Sequence, residues 1–570
     1  MKFVILLTVA VICLAGTTAA QTPQIMSILP TQNELNVAVN TNISATFDID
    51  MDEVTINEST FIVFGLNTGM HEGIITYDSQ TNTAVLDPQD NFEDGEIVTA
   101  VLTAGIQSSG GIPLTGGYIW SFTAVAAGGS GTFTQDSAYN TGSEPTSICA
   151  ADYDGDGDMD LATANRASDS VTVLSNNGYG MFAFESAYLV GFNPWGISAA
   201  DLNMDNNIDL VVACRDSGEI SILLNNGDGT FAVDSTYSTE NPPVSLSVAD
   251  LDGDGDIDLA TASLDSNNIS IFLNSGIGTF SAGSTIPVGT TPWGIFSADL
   301  DGDGDLDLTA ANRGSNNISV LLNNGDASFI ADSTYAVGSN PISIFAADLD
   351  GDADNDLAAA NFTVSSISVL INNGDGTFAP FESYSVGTRP RFVYAADFDG
   401  DGNLDIATAN RNSSSISILI NNGDGTFGSQ TDFAVGLNPV SISAADLDGD
   451  ADMDLATANI GSANVSVLLN EGVTGITENS IPPQEFSVWK NYPNPFNSST
   501  TIEFTLYNPQ FVTLTIYDLL GREIRTLLDE EKPSGIHNIT FDASDLSSGV
   551  YFYRLQAGDI VETKRMVLLK

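Results

Sequence analysis

Short runs of alternating apolar and polar residues, broken by clusters of Gly, Asn, Asp and Ser, extend along most of the chain. Two-residue alternation puts successive side chains on opposite faces, so these runs predict short antiparallel strands and an all-β protein. Between residues 131 and 473 the pattern itself recurs seven times at a constant spacing of 49. In the third copy a strand is expected over Val244 to Ala249, followed by an acidic loop, DLDGDGDID, from Asp250 to Asp258. Further strands are expected over Ile257 to Ala262, over Ile269 to Asn274, and from Thr279-Phe280 onward. Four short strands in a unit of this length predict one blade of a β-propeller. The turn phenylalanines Phe133, Phe182, Phe231, Phe280, Phe329, Phe378 and Phe427 keep the same spacing, which suits equivalent places in a closed array. The array opens on a strand at 131–133 and stops after Val465 to Asn470, so the last blade lacks an outer strand that the first segment can supply. A seven-bladed propeller closed by that exchange, over 127–473, leaves no open sheet edge at the junction.

The flanks carry different patterns. Residues 21–126 contain no Lys or Arg and alternate in runs such as Ile43 to Phe47 and Ile97 to Leu102, which predicts a β-sandwich. Their ILPTQNELNVAVNTNISATFD opening, DMDEVTINESTF stretch and closing IWSFTA resemble bacterial Ig-like domains of envelope proteins, a likeness that implies a spacer. AAGGSG, 126–131, reads as a flexible joint, and 474–484 as a polar linker. Residues 485–570 hold 8 of the 15 basic residues and carry YPNPFN at Tyr492 to Asn497 and LSSGVY at Leu546 to Tyr551. This segment resembles the C-terminal sorting domain of type IX secretion substrates. The resemblance implies a second β-sandwich that directs export through the type IX machinery across an outer membrane.

Composition narrows the function. With 74 acidic against 15 basic residues the formal charge is −59, which repels nucleic acid and anionic membranes. The seven nine-residue loops contain 32 of the 74 acids, where cations could neutralise them. Residues 1–20 read as a secretory signal, with Lys2, an apolar run to Ala15 and Thr18-Ala19-Ala20 before Gln21. No later apolar run is long enough to span a membrane. Cys149 and Cys214 occupy different repeat positions and read as buried small hydrophobes, not a disulfide.

Calcium takes six to eight oxygens in flexible geometry, which suits carboxylates on alternate residues of a short loop. In the third copy Asp250, Asp252, Asp254 and Asp258 would converge on the ion through their side chains, Asp256 through its carbonyl, and Gly255 would allow the turn. The absence of His and Cys disfavours zinc and copper. The spacing D-x-D-x-D-G-x-x-D resembles the calcium loops of FG-GAP (VCBS-type) repeats, the units of the integrin α propeller. On that pattern the first copy supplies Asp152, Asp154, Asp156 and Asp160 with Asp158 in the main-chain position; the fourth supplies Asp299, Asp301, Asp303 and Asp307 with Asp305. The fifth supplies Asp348, Asp350, Asp352 and Asp356 with Asp354, and the seventh Asp446, Asp448, Asp450 and Asp454 with Asp452. Ala353 and Ala451 stand there where Gly is expected, at about 1 kcal/mol each if the position is left-handed. The sixth uses Asp397, Asp399, Asp401 and Asp405 with Asn403. The second departs most, with Asp201, Asn203, Asp205, Asn207 and Asp209, and Asn206 for Gly, and should bind more weakly. Carboxylates crowded without a cation repel one another, so up to seven Ca²⁺ would act structurally, coupling folding to ion binding.

Strand alternation puts the acidic loops and the GDGTF turns on one face of the disc. Every basic residue of the propeller, Arg166, Arg215, Arg313, Arg389, Arg391 and Arg411, then falls on the other, as do Trp195 and Trp293. Trp195, Trp293 and Arg391 share one repeat position, two units apart each time. Such a face suits an acidic sugar or a carboxylate-bearing surface protein, although the same residues could fill gaps and pair with nearby acids. The favoured reading is a secreted, calcium-binding, non-catalytic adhesion or binding protein. A polysaccharide lyase or glycosidase is the alternative, with an acid pair drawn from Glu144, Asp169, Asp216, Glu219 or Glu240. A purely structural envelope protein is the third. His71 and His537 both lie outside the propeller, and no nucleophile motif appears.

Overall fold

The computed structural model describes residues 21–472 apart from Ala127 and Glu240, and then 486–488, 496–506, 510–518, 522–532, 535–544, 546, 549–557 and 560–568. The expected secretory signal at 1–20, the expected linker at 474–484 and most of the YPNPFN motif lie outside the described residues. The described chain is almost wholly β, with a single short 3₁₀ turn at Glu53–Thr55.

Residues 25–123 form two four-stranded sheets. One runs in the order Ile25–Leu29, Ile43–Phe47, Thr83–Pro88, Gly73–Asp78, and the other Gly69–Met70, Phe61–Gly65, Ile97–Leu102, Tyr118–Thr123. The alternation is real: in Ile43–Phe47 every second side chain is buried. Those side chains meet Phe61, Trp120 and Phe122 in one core between the sheets.

Seven four-stranded antiparallel sheets follow. In the third, Pro243–Ala249 pairs with Asp258–Ser263, that strand with Asn268–Leu273, and that with Ser281–Pro287. These bounds lie within about two residues of those the alternation predicts. The innermost strand of each sheet packs against the innermost strand of the next, and Pro145–Ala151 packs against Pro439–Ala445, which closes the ring. The expected exchange is present: Gly129–Asn140 is the outer strand of the sheet formed by Pro439–Ala445, Asp454–Asn459 and Asn464–Gly472. Every innermost strand starts with proline, from Pro145 to Pro439. The missing N–H is tolerated there because these strands edge the axis and pair on one side only.

The N-terminal sandwich does not behave as a spacer. It belongs to the same compact unit as the ring and lies across the acidic-loop face. Asn67 O accepts the Asp152 N–H of the first loop (3.3 Å), Glu72 the Asn206 amide of the second (3.0 Å), and Gly304 O of the fourth the Ile119 N–H (2.7 Å). Asn33 and Asn36 donate to Ala353 O and Gly402 O of the fifth and sixth (2.9 and 3.0 Å). Gly117 packs against Gly253 in the third, and Gly95 against Met453 in the seventh. Ile62, Val101 and Ile119 share a buried cluster with Leu251, Leu306 and Leu308 of the ring. The physical reason is that the second sheet is apolar on both faces, one for its own core and one for the ring. Nor is the segment after Ala126 a loose joint, since Ala126 is buried, Gly129 begins the exchanged strand and the Gly131 N–H donates to Phe398 O.

The C-terminal unit is a separate body. A sheet of Phe486–Val488, Ser499–Leu506 and Gly535–Asp542 and a second of Glu523–Lys532, Gln510–Asp518, Gly549–Ala557 and Ile560–Leu568 enclose one core. Phe496 of YPNPFN is buried in it beside Phe541.

Candidate functional site

Each acidic loop joins the innermost strand of a blade to its neighbour, and the pairing of Ala249 with Asp258 fixes the loop's two ends side by side. In the third loop Asp250 accepts the N–H groups of Gly253 (2.8 Å) and Gly255 (2.9 Å), while Asp258 accepts those of Leu251 (3.0 Å) and Asn274 (2.7 Å). The same pairs recur in the fourth to seventh loops, with Ala353 and Ala451 donating in the fifth and seventh. The backbone thus clamps the first and last carboxylates and leaves the middle ones to converge. Carboxylate oxygens of Asp152, Asp154 and Asp160 lie within 4.8 Å of one another. So do those of Asp250, Asp252 and Asp254; of Asp299, Asp301 and Asp303; of Asp348, Asp350 and Asp356; and of Asp397, Asp399 and Asp405.

The electrostatics of these loops are compatible with a bound cation. The last aspartate of each loop is fully buried. Burial, opposed by the backbone donors and reinforced by the neighbouring carboxylates, pushes Asp160 and Asp454 up to about 9. It pushes Asp258, Asp307, Asp356 and Asp405 up to about 8, and Asp209 to about 7. Buried oxygens of Asp252, Asp350 and Asp448 have no hydrogen-bond partner, and both oxygens of Asp452 lack one. An orphaned buried carboxylate oxygen is costly unless a cation or donor meets it. An all-oxygen donor set with orphaned anionic atoms fits a hard divalent cation, and calcium in particular. When bound, such an ion would supply charge neutralisation and cross-linking of the loop.

The departures predicted from the sequence have structural counterparts. In the second loop Asn203 Nδ2 donates to Asp205 (3.1 Å) and Asn207 Nδ2 also donates to Asp205 (2.8 Å), so amide protons occupy oxygens that elsewhere face the cluster. Asn403 does the same to Asp401 in the sixth (2.8 Å). Ala353 and Ala451 adopt φ of 74° and 72°, the left-handed region where Gly255 has 96°. Asp256, placed by the pattern in a main-chain role, also packs its side chain against the turn glycine Gly276. That glycine has φ 73°, and a Cβ there would meet the Asp256 Oδ1 at 2.8 Å.

One set of residues escaped the sequence reading. Asn176, Asn225, Asn274, Asn323, Asn372, Asn421 and Asn470 open the turn after the third strand and are buried. Each backbone N–H caps the last aspartate of its loop, as Asn421 does for Asp405 at 2.7 Å. Each side chain then bridges to the preceding blade: Asn421 Nδ2 donates to Leu404 O (2.9 Å) in its own loop and to Leu349 O (2.8 Å) in the fifth. Asn176 closes the circle onto Leu447 O (2.9 Å). Neighbouring acidic loops are therefore stapled together around the whole ring. The 49-residue recurrence of these asparagines is visible in the sequence, but nothing local marks the partner in the preceding loop.

On the opposite face the candidate residues largely converge. Trp195 and Trp293 meet edge to face with ring centroids 5.4 Å apart, and the Arg391 guanidinium lies 5.1 and 4.9 Å from the two rings. Arg166 stacks on Trp195 (5.3 Å) and Arg313 on Trp293 (5.0 Å). Arg166 also donates through Nε to Glu144 Oε2 at 2.8 Å, and through Nη2 to the same oxygen. Burial, followed by the charges of Arg411, Arg313 and Arg166, pushes Arg391 down to about 9. Arg389 is exposed on the Phe362 ring (5.2 Å), and among the described residues no contact draws Arg215 into the group. The tryptophans do not fill spaces between blades; they and Arg391 close the axis. Behind them lies an axial cavity of about 420 Å³ with Phe296, Phe345 and Tyr394 along one wall, Ser198, Ser245, Ser247 and Ser443 along the other, and Ile62, Phe64 and Ile97 of the sandwich at its far end. Of the acids considered for catalysis, Glu144 is held by Arg166, Asp169 accepts the Asn193 N–H (2.8 Å), and Glu240 lies outside the described residues.

Comparison with known families agrees with this architecture. A bacterial Ig-like domain model matches residues 19–124, an FG-GAP-like repeat model matches six overlapping stretches from 152–212 to 397–457, and a secretion system C-terminal sorting domain model matches 490–569. No curated protein matches the chain. Similar solved structures include BBS1N in complex with ARL6DN, at 14% identity over 60% of this chain and 97% of that one, TM-score 0.43. A functionally unknown protein from Desulfotomaculum acetoxidans aligns at 11% identity over 66% and 98%, TM-score 0.40. The periplasmic gluconolactonase of Pseudomonas aeruginosa aligns at 15% over 70% and 99%, TM-score 0.38. Cys149 and Cys214 are free, and among the described residues no helix is long and apolar enough to cross a membrane. The sorting domain marks a substrate of type IX secretion, delivered to the cell surface or beyond it. With the repeat model covering more than half of its length, the chain belongs to the FG-GAP-like repeat family, with a bacterial Ig-like domain before the repeats and a secretion sorting domain after them.

Proposed function

We propose that this is a secreted, non-catalytic binding protein in which calcium stiffens the ring and the Arg/Trp face meets a glycan or a surface protein. The observation that carries this reading is the position of the Ig-like domain. It touches all seven acidic loops, so the loop face is covered and the face bearing Arg166, Arg313, Arg391 and Arg411 is the one left for a macromolecule. The calcium loops then serve that face indirectly, by holding the blades in register through ion cross-links and asparagine staples. Four guanidinium groups and two indoles gathered on a strongly acidic body suit an anionic partner, because surface potential elsewhere on the ring would repel it.

A glycan array probed with the mature protein, with calcium and after its removal, tests the reading when combined with product analysis of each hit. Retention of acidic glycans without new products is the expected result, weakened when calcium is withdrawn. Shortened or unsaturated products would replace this reading with a polysaccharide-degrading enzyme, and failure to retain any glycan or surface protein would leave a structural envelope role.

A further inference from the structure

The axial mouth on the free face holds more donor capacity than the protein uses. Arg391 is half-buried, and among the described residues no carboxylate or carbonyl accepts from it; the charges that reach it, from Arg411, Arg313 and Arg166, are all positive. Trp195 Nε1, in the ring on which Arg391 lies, is buried and has no acceptor. Among the described residues the one hydrogen-bond acceptor of Arg313 is the Asn340 side chain, at 3.4 Å, while Arg166 is paired with Glu144. A chain with 74 acids has thus left Arg391, Arg313 and Trp195 Nε1 with no acidic partner among the described residues. Unmatched buried donors and like charges at close range are unfavourable in isolation, and an anion relieves both at once.

We propose that this mouth is a carboxylate-binding site, with Arg391 as the receptor, Trp195 Nε1 as a further donor, and Arg313 and Arg411 raising the local positive potential. The proposal rests on the binding role given above and names the chemistry of its ligand. The two indole centroids, 5.4 Å apart, lie on one side of the Arg391 guanidinium, so its recognition capacity is in the N–H groups turned away from them, where a planar N–H fork matches a planar carboxylate. With the two indoles in contact at the axis, the approach to Arg391 is narrow, which suits a small group and not a folded surface. A uronate, free or at the end of an acidic polysaccharide, has that form: a carboxylate on a small ring whose apolar face can rest on the mouth.

The test uses the calcium-loaded mature protein and its tryptophan fluorescence, since Trp195 and Trp293 form the site. D-glucuronate, an oligogalacturonate, D-glucose, inorganic phosphate and an aspartate-rich peptide are titrated at equal ionic strength. Saturable change with glucuronate and none with glucose is expected, with Arg391→Gln weakening glucuronate about tenfold or more and Arg391→Lys weakening it less. A stronger response to the oligomer places the source in a polysaccharide; an equal one places it in a free acid. Because Arg391→Gln removes like-charge repulsion, its melting temperature should stay level or rise. A fall in melting temperature with no glucuronate response in the parent protein makes Arg391 a mere stopper and overturns the proposal. Equal responses to glucuronate and glucose, a response to phosphate or peptide alone, or unchanged binding by Arg391→Gln also overturn it. An array hit that survives Arg391→Gln would sink the mouth while leaving the broader binding role standing.

Discussion

Replacing one staple asparagine measures how far the acidic loops act as a ring and not as seven separate hairpins. Asn421 is 3% exposed; its side chain donates to Leu349 O at 2.8 Å and Leu404 O at 2.9 Å and accepts the Gly423 N–H at 3.0 Å. Asn421→Ala removes all three bonds but keeps the backbone cap on Asp405. Leu349 O retains the Gly425 N–H at 3.0 Å, so the groups that lose a partner are Leu404 O and Gly423 N–H. One to two orphaned buried groups and a small cavity should cost about 2–4 kcal/mol. In a domain of this size that is a drop of several degrees in melting temperature. The neighbouring Asn422 bonds only within its own exposed turn, to Thr426, and Asn422→Ala should cost no more than about 0.5 kcal/mol. Calorimetry of both variants in saturating calcium decides the matter. A cost for Asn421→Ala no larger than that of Asn422→Ala would refute the staple. Loss confined to calcium-free conditions would show instead that bound ions alone hold neighbouring loops.

Three further outcomes follow from the same geometry. In calcium-free buffer the buried aspartates, Asp160, Asp258 and Asp454 among them, hold protons that the unfolded chain gives up above pH ~4. Native protein then binds more protons than unfolded, so stability should fall as pH rises from about 4 to about 9, and added calcium should flatten or reverse that trend; a calcium-free melting temperature that climbs over this range contradicts it. Ala353→Gly and Ala451→Gly relieve left-handed alanines at φ 74° and 72°, and each should add about 1 kcal/mol in a denaturant titration, whereas the same exchange at Ala359, buried in a strand, should destabilise. Ile62→Asp puts a charge between the Ig-like domain and the ring, where Ile62 is 3% exposed, and should split one unfolding transition into two or lower it by several degrees; an unchanged single transition would restore the spacer.

The sequence determined the repeat, the strands and the loops, because those follow from spacing that survives without tertiary contacts. A period of 49 residues, two-residue alternation and carboxylates on alternate loop positions specify blade, face and the candidate cation loops locally. The missing last strand even disclosed how the ring closes. Three things were decided only by folding. The Ig-like domain's second sheet carries apolar residues on both faces, and a strand buried on two sides cannot reveal from its composition what covers the second one; here Ile62, Val101 and Ile119 meet the ring. The staple asparagines show no bridging role in the sequence because their partners, as with Asn421 and Leu349, lie 72 residues away. Trp195, Trp293 and Arg391 are 98 residues apart in sequence each time, and only closure of the ring brings alternate blades together across its axis.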